Sequence, residues 1–259
     1  MNSNSFHEFV EEAVKIVKGA EEQGITLRIM GALAVSYHCP KYAHFHEKMN
    51  RTPTDIDFAS YSNFKEKLTG FLQRLGYKTD TMLMSLPSYA EGKRYIYQGK
   101  TQVDVFFDEL RMCHIVSWKN RLEVDTPTIP LADIVLEKLQ IVKINPKDIK
   151  DLIIIFLEHD VGNTDKETVN GEYIAELLSK DWGFYYTSTT NLKKLVSLMD
   201  DYVSLPEDEK KKVTERVNKL LEMIEKQPKS MGWKMRSRIG TKQRWYTEVE
   251  DNPQFVKVE

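Results

Sequence analysis

The chain has 259 residues, room for two modest domains, and its 41% hydrophobic and 29% charged shares are those of a soluble protein with real cores. A net charge of −2 removes any global electrostatic case for a nucleic-acid or membrane partner, leaving only local patches. Cys39 and Cys113 form neither a zinc spacing nor a disulfide framework, which fits a reducing compartment. MNSNSFHEFVEE lacks the pattern of a secretory leader, and LIIIFL at 152–157 is too short to span a bilayer, so the expectation is a cytoplasmic protein with no membrane partner.

Residues 5–23 place Phe6, Phe9, Val10, Ala13, Val17 and Ala20 at helical spacing, with Gly24 as the stop. ITLRIM (25–30) reads as a short strand, and Gly31 opens the helix GALAVSYH. Residues 39–54 read as an irregular loop and DIDFA as the next strand. Ser62 or Asn63 then caps a helix through Leu75, closed by Gly76. KRYIYQ and TQVDVFF form a hairpin about Gly99-Lys100. From Thr128 onward helix follows helix: LADIVLEKLQIV, PKDIKDLIIIFLEH, then 170–180, 191–202 and 206–225. The predicted fold class is α+β, a mixed sheet flanked by helices over 1–127 and an all-helical domain over 128–225. Residues 226–259 form a basic, aromatic-containing tail.

RTPTDIDFAS places Asp55 and Asp57 two residues apart on a strand, hence on one face. Like charges that close repel, and neither ionises cheaply on a buried face. Asp104, in QVDVFF, shares a face with Phe106 rather than with polar neighbours. If the two strands are adjacent, the three acids converge, and a divalent ion resolves their repulsion. Mg²⁺ takes oxygen ligands and is held by carboxylates plus substrate phosphates, and two such ions activate an attacking hydroxyl and stabilise leaving pyrophosphate. The plainer reading is a D-x-D that marks a strand end near solvent. Gly31 begins a helix after a strand, a place where backbone N–H groups meet phosphate, although an ordinary βα turn also favours glycine.

On a helical wheel Lys138 falls inside the apolar arc of Leu131, Ile134, Val135, Leu139 and Val142. There it either snorkels outward or meets an anion. Asn145-Pro146-Lys147-Asp148 reads as a helix start in which Asp148 completes a capping box, and Asp151 lies on the same face as Asp148. His38, Cys39, His44 and His46 cluster without an established zinc spacing, so exposed loop histidines are the simpler reading. Lys93 and Arg94 read either as phosphate contacts or as surface charge.

MGALAVSYH, RTPTDIDF and TQVDVFF, in that order, resemble the nucleotidyltransferase superfamily of polymerase-β-like enzymes. LADIVLEKLQIVKINPKDIKDL is similar to the A-x-K-L … K-D-x-x-D-L segment of the AbiEii-like toxin branch. The resemblance covers residues 25–157 and implies Mg²⁺-dependent transfer of a nucleoside monophosphate from an NTP to a hydroxyl, with two ions bound beside the nucleotide. It implies metal and catalytic roles for Asp55, Asp57 and Asp104, and nucleotide contacts for Gly31, Ala32, Lys138, Asp148 and Asp151. RNA, a protein or a small molecule would be the acceptor, and the toxin branch implies an antitoxin partner. Two departures stand out: Ala32 replaces the family's second Gly or Ser, and CPKYAHFHEKMN lengthens the interval to Asp55. Two rivals stay open, a non-catalytic nucleotide-binding or interaction module on the same fold, and a metal-dependent phosphohydrolase using nearby histidines. Between Lys226 and Arg244 there are seven basic residues, no acid, and Trp233 (with Trp245 just beyond), a mixture suited to single-stranded nucleic acid or to a solubilising tail.

Overall fold

The computed structural model describes residues 6–42, 44–45, 53–79 and 93–249. Most of the 39–54 loop beyond Tyr42, including His46, and the last residues of the tail lie outside that set.

Helix α1 (Phe6–Glu22) buries Phe9, Ala13, Ile16, Val17 and Ala20, one face at helical spacing, and Gly24 follows with φ 65°. Next come β1 (Leu27–Ile29), α2 (Gly31–His38), β2 (Ile56–Ser60) and α3 (Lys65–Arg74). Strands β3 (Lys78–Thr79), β4 (Arg94–Gln98) and β5 (Gln102–Phe107) complete one sheet, ordered β1-β2-β5-β4-β3. Only the β2–β5 pair is parallel, so the sheet is mixed. Its register sets Ile56 beside Val103, Asp57 beside Asp104 and Phe58 beside Val105. One face is therefore apolar and buried, while the other carries the two aspartates at the same level.

A small hairpin, β6 (Glu109–Arg111) and β7 (Ile115–Ser117), leads to the helices. These are α4 (Leu131–Leu139), α5 (Pro146–Glu158), α6 (Gly171–Leu178), α7 (Trp182–Ser197), α8 (Glu207–Lys226) and α9 (Met231–Ile239). Two-residue strands β8 (Val161–Gly162) and β9 (Val169–Asn170) pair in parallel between α5 and α6. The fold is α+β: a mixed sheet flanked by helices, followed by helices. A single apolar core runs from α1 and the sheet into α4, α5 and α8.

Besides the short strands that the sequence reading did not foresee, three elements differ from expectation, each for a tertiary reason. Helix α4 stops at Leu139 rather than Val142, where Asn191 Nδ2 donates to the Leu139 and Ile141 carbonyls at 3.0 and 2.8 Å. Helix α7 begins at Trp182, well before 191, capped by Asp181, although WGFYYTSTT is poor in helix formers; burial of Trp182, Phe184 and Thr187 overrides propensity. The tail is not a loose appendage through Val249. Ser230 caps α9, and Trp245 docks on α7 with its Nε1 donating to Thr187 Oγ1 at 3.0 Å.

Candidate active site

Asp57 and Asp104 project from neighbouring parallel strands, and Asp55 stands at the bend that enters β2. One carboxylate oxygen from each lies within 4.8 Å of the others. Asp104 is buried, whereas Asp55 and Asp57 keep partial exposure, so the group opens on the side of the D-x-D turn. Arg94, from β4, pairs with Asp104 Oδ2, and Gln102 Nε2 donates to Asp104 Oδ1 at 3.1 Å. Burial, then the charges of Asp55 and Asp104, holds the Asp57 carboxyl well above the ordinary carboxylate range. Asp104 is raised too, by burial, although Arg94 opposes the shift. An all-oxygen donor set carrying more negative charge than one guanidinium offsets fits a hard divalent cation such as Mg²⁺.

The turn before α2 is built around this group. Gly31 adopts φ 68°, and a Cβ placed there would sit 2.7 Å from Asp57 Oδ2. Only glycine combines that backbone with that proximity. Its N–H, the donor expected to meet phosphate, donates to Glu137 Oε2 at 3.3 Å. Ala32 follows, half-buried in the first turn of α2.

Glu137 belongs to α4, every residue of which is buried. Burial raises its carboxyl from 4.5 to about 7, with Asp148 and Asp151 pushing the same way against Lys138 and the Gly31 N–H. Lys138 does not snorkel to solvent. Its ammonium lies 3.1 Å from Asp151 Oδ2, 3.3 Å from Asp148 Oδ1 and 3.5 Å from Glu137 Oε1. Asp148 accepts from Asn145 Nδ2 at 2.7 Å, and its own N–H donates to Asn145 Oδ1, the expected cap at the start of α5. A line of contacts thus runs from Asp104 through Asp57, Gly31 and Glu137 to Lys138, Asp148 and Asp151, spanning the sheet, α2, α4 and α5.

No family model and no curated protein matches the sequence. Among solved structures, the chain is similar to the solution structure of the antibiotic-resistance factor ANT(2'')-Ia. The identity is 12% and the TM-score 0.35, over 88% of this chain and 91% of that one. Roles for individual residues therefore rest on the geometry of the site itself.

Among the described residues no histidine joins the aspartates: His38 instead groups with His159 and Glu167. Cys39 is buried, and His44 packs beside Phe45 with ring centres 4.4 Å apart, so the loop cluster of His38, Cys39, His44 and His46 does not gather, as far as its described members show. Lys93 pairs with Asp108 at 3.3 Å. A depression of about 230 Å³ between α6 and the end of α8, lined by Glu172, Ala175, Met223, Lys226 and Gln227, lies apart from this site.

Sequence reasoning missed Glu137 and left Arg94 between phosphate contact and surface charge. The signal for Glu137 was present: in LADIVLEKLQIV two adjacent charges interrupt an apolar run, and a helix covered on all sides must seat both internally. Arg94 has no such signal, because its partner comes from the neighbouring strand.

Proposed function

We propose that the protein is a Mg²⁺-dependent nucleotidyltransferase. The observation that carries this reading is the convergence of Asp55, Asp57 and Asp104, with the Asp57 carboxylate packed against the glycine that starts α2. Bound divalent cations would neutralise the triphosphate and lower the cost of forming the attacking alkoxide. Asp55 and Asp57 would hold them from the D-x-D turn, and Asp104 would complete the site beside the acceptor hydroxyl. That hydroxyl releases its proton to solvent, and its oxygen bonds to the α-phosphorus as the bond to the leaving pyrophosphate breaks. The alignment supplies most of the rate, because phosphoryl transfer asks for positioning and charge more than for covalent help. Lys138, with Asp148 and Asp151 fixing its ammonium, is the nearby cation for the triphosphate, and the turn at Gly31 and Ala32 borders the same space.

The experiment is incubation with each α-labelled NTP, Mg²⁺ and total RNA, beside protein and small-molecule acceptors. Label transferred by the wild type and not by Asp57→Asn supports the reading; NTP binding without transfer to any acceptor favours a non-catalytic module. One observation favours that second reading: Arg94 already occupies Asp104 Oδ2, supplying in part the charge a cation would bring. A toxin-like role in the AbiEii manner, with an antitoxin partner, belongs to the first reading and follows from the resemblance alone.

RNA is the acceptor we favour. The basic residues of α9 and its flanks support it: Lys234, Arg238 and Lys242 are exposed, and Arg236 stacks on Trp182 at 4.8 Å. Trp233 and Trp245 are engaged with Tyr185 and Tyr186, with ring centres about 5 Å apart, so the tail's contribution to RNA is electrostatic rather than by base stacking. Replacing Lys234, Arg238 and Lys242 together by alanine should flatten the salt dependence of RNA affinity, by roughly 0.7 for each phosphate no longer neutralised. Deleting the tail is the poorer test, because it strips Trp245 from α7.

A further inference from the structure

We propose that His38, His159 and Glu167 form a second cation site, distinct from the aspartates and suited to zinc or a similar borderline divalent ion. His38 ends α2, His159 follows α5, and Glu167 lies in the loop between β8 and β9. One ligand atom from each falls within 4.8 Å of the others. Two imidazoles and a carboxylate are a donor set zinc accepts readily, whereas Mg²⁺ prefers oxygen throughout.

The hydrogen bonds on the far side of each ring point the same way. His159 Nε2 is 2.9 Å from the His38 carbonyl oxygen, which only accepts, so Nε2 carries the proton. His38 Nε2 is 2.6 Å from Thr128 Oγ1, with Asp125 Oδ2 3.7 Å away, and the carboxylate selects the same tautomer. Both Nδ1 atoms are left facing Glu167, His38 Nδ1 at 3.9 Å from Oε1 and His159 Nδ1 at 3.9 Å from Oε2. Metal-bound histidines are held in this way, with the other ring nitrogen donating to a fixed oxygen. Ligand atoms around tetrahedral zinc sit about 3.3 Å apart, so closure from the 4.8 Å that bounds this group asks up to about 1.5 Å of movement.

Glu167 adds an independent mark. Its φ of 48° is left-handed, a costly conformation for a residue other than glycine or asparagine, and strain of this kind gathers at ligand sites. That backbone sets the Glu167 carbonyl oxygen 3.1 Å from His159 Nδ1. With the ring proton committed to Nε2, two lone pairs face each other there unless a cation or a second proton intervenes. The exposed Glu167 side chain gives an ion a way in past two buried rings. When bound, it would clip the β8–β9 loop to the ends of α2 and α5.

The test is a calorimetric Zn²⁺ titration of the tag-free, EDTA-stripped full chain. With Mg²⁺ in excess to hold the aspartates, one zinc should bind per chain; His159→Ala and Glu167→Gln should each weaken it by about tenfold or more, and Asp57→Asn should leave it unchanged. Co²⁺ in place of zinc should give visible absorption bands that disappear in the same two variants. Glu167→Gln alters an exposed side chain, so it carries the test even if His159→Ala does not fold. Absence of zinc binding, indifference to both variants, or loss of binding on Asp57→Asn would overturn the proposal.

Discussion

Two groups of acids in this molecule, each built on one buried aspartate, have different surroundings. Asp133 and Asp165 face Arg121, which donates to Asp133 Oδ2 through Nε at 2.9 Å and through a terminal nitrogen at 2.7 Å, and reaches Asp165 Oδ1 at 2.8 Å. Tyr173 donates to Asp133 Oδ1 at 3.4 Å, its ring under the guanidinium, and Asn170 donates to Asp165. Those acids are met from several sides by donors of the protein's own. Among the described residues, Asp55, Asp57 and Asp104 share one guanidinium, which pairs with Asp104 beside the Gln102 amide; Thr54 Oγ1 donates to Asp55 at 2.9 Å, and Asp57 is pressed against a glycine. Burial raises both Asp57 and Asp133; Arg121 meets the charge of Asp133, whereas the like charges of Asp55 and Asp104 add to the shift at Asp57, and that is where the proposed function places a cation.

The largest contrast should come from matched amide substitutions. Asp57→Asn should abolish nucleotidyl transfer while leaving urea stability unchanged or slightly higher, since it removes a repelled charge. Asp133→Asn should leave chemistry intact and lower stability by roughly 3 kcal/mol, the scale for breaking a buried pair. Labelled-NTP assays and urea melts on both proteins check this, and a large stability loss in Asp57→Asn would make the aspartates structural.

A smaller effect is expected in pH dependence. Glu137 is raised from 4.5 to about 7. For a carboxyl raised in the folded state, the associated stability is fully present below about 4.5 and lost as pH rises through about 7. A shift of that size corresponds to roughly 3 kcal/mol as an upper scale. Asp133, raised from 3.8 to about 6 by burial, acts over a lower window. Glu137→Gln should therefore flatten stability between pH 6 and about 7, and leave the slope near pH 5 that Asp133 contributes. Urea melts in EDTA across that range read the difference. An unchanged profile would mean that Lys138 already neutralises Glu137.

How far each region could be read from sequence follows the same division. The D-x-D pair and Asp104 were legible because strand alternation and a parallel neighbour suffice to bring them together. The acid-lined seat of Lys138 was half legible: its place within the apolar arc left an outward snorkel or an anionic partner open, and the partners come from the next helix and from Glu137. The Arg121 network was not read at all, because Arg121, Asp133 and Asp165 become neighbours only once the helices pack. Strands β3, β6 and β7 escaped for a related reason, being two or three residues long and held by pairing rather than by any pattern of their own.

The smallest effect separates two glycines that both lack room for a methyl group. At Gly183 a Cβ would lie 2.5 Å from the Trp245 carbonyl oxygen, so this glycine lets the tail dock on α7. At Gly31 the obstacle is Asp57 Oδ2 at 2.7 Å, with the further demand of φ 68°. Gly31→Ala should cost about 1–2 kcal/mol for the left-handed backbone and should also push Asp57 aside, weakening divalent-ion binding. Gly183→Ala should loosen the tail, seen as a change in Trp245 fluorescence, with metal affinity untouched. Mn²⁺ titration followed by paramagnetic resonance, run beside urea melts, distinguishes them. Equal Mn²⁺ affinity in the two variants would mean that Asp57 does not need its present position to hold a cation, and the proposed contrast between a cation-binding acid group and one paired within the protein would lose its main support.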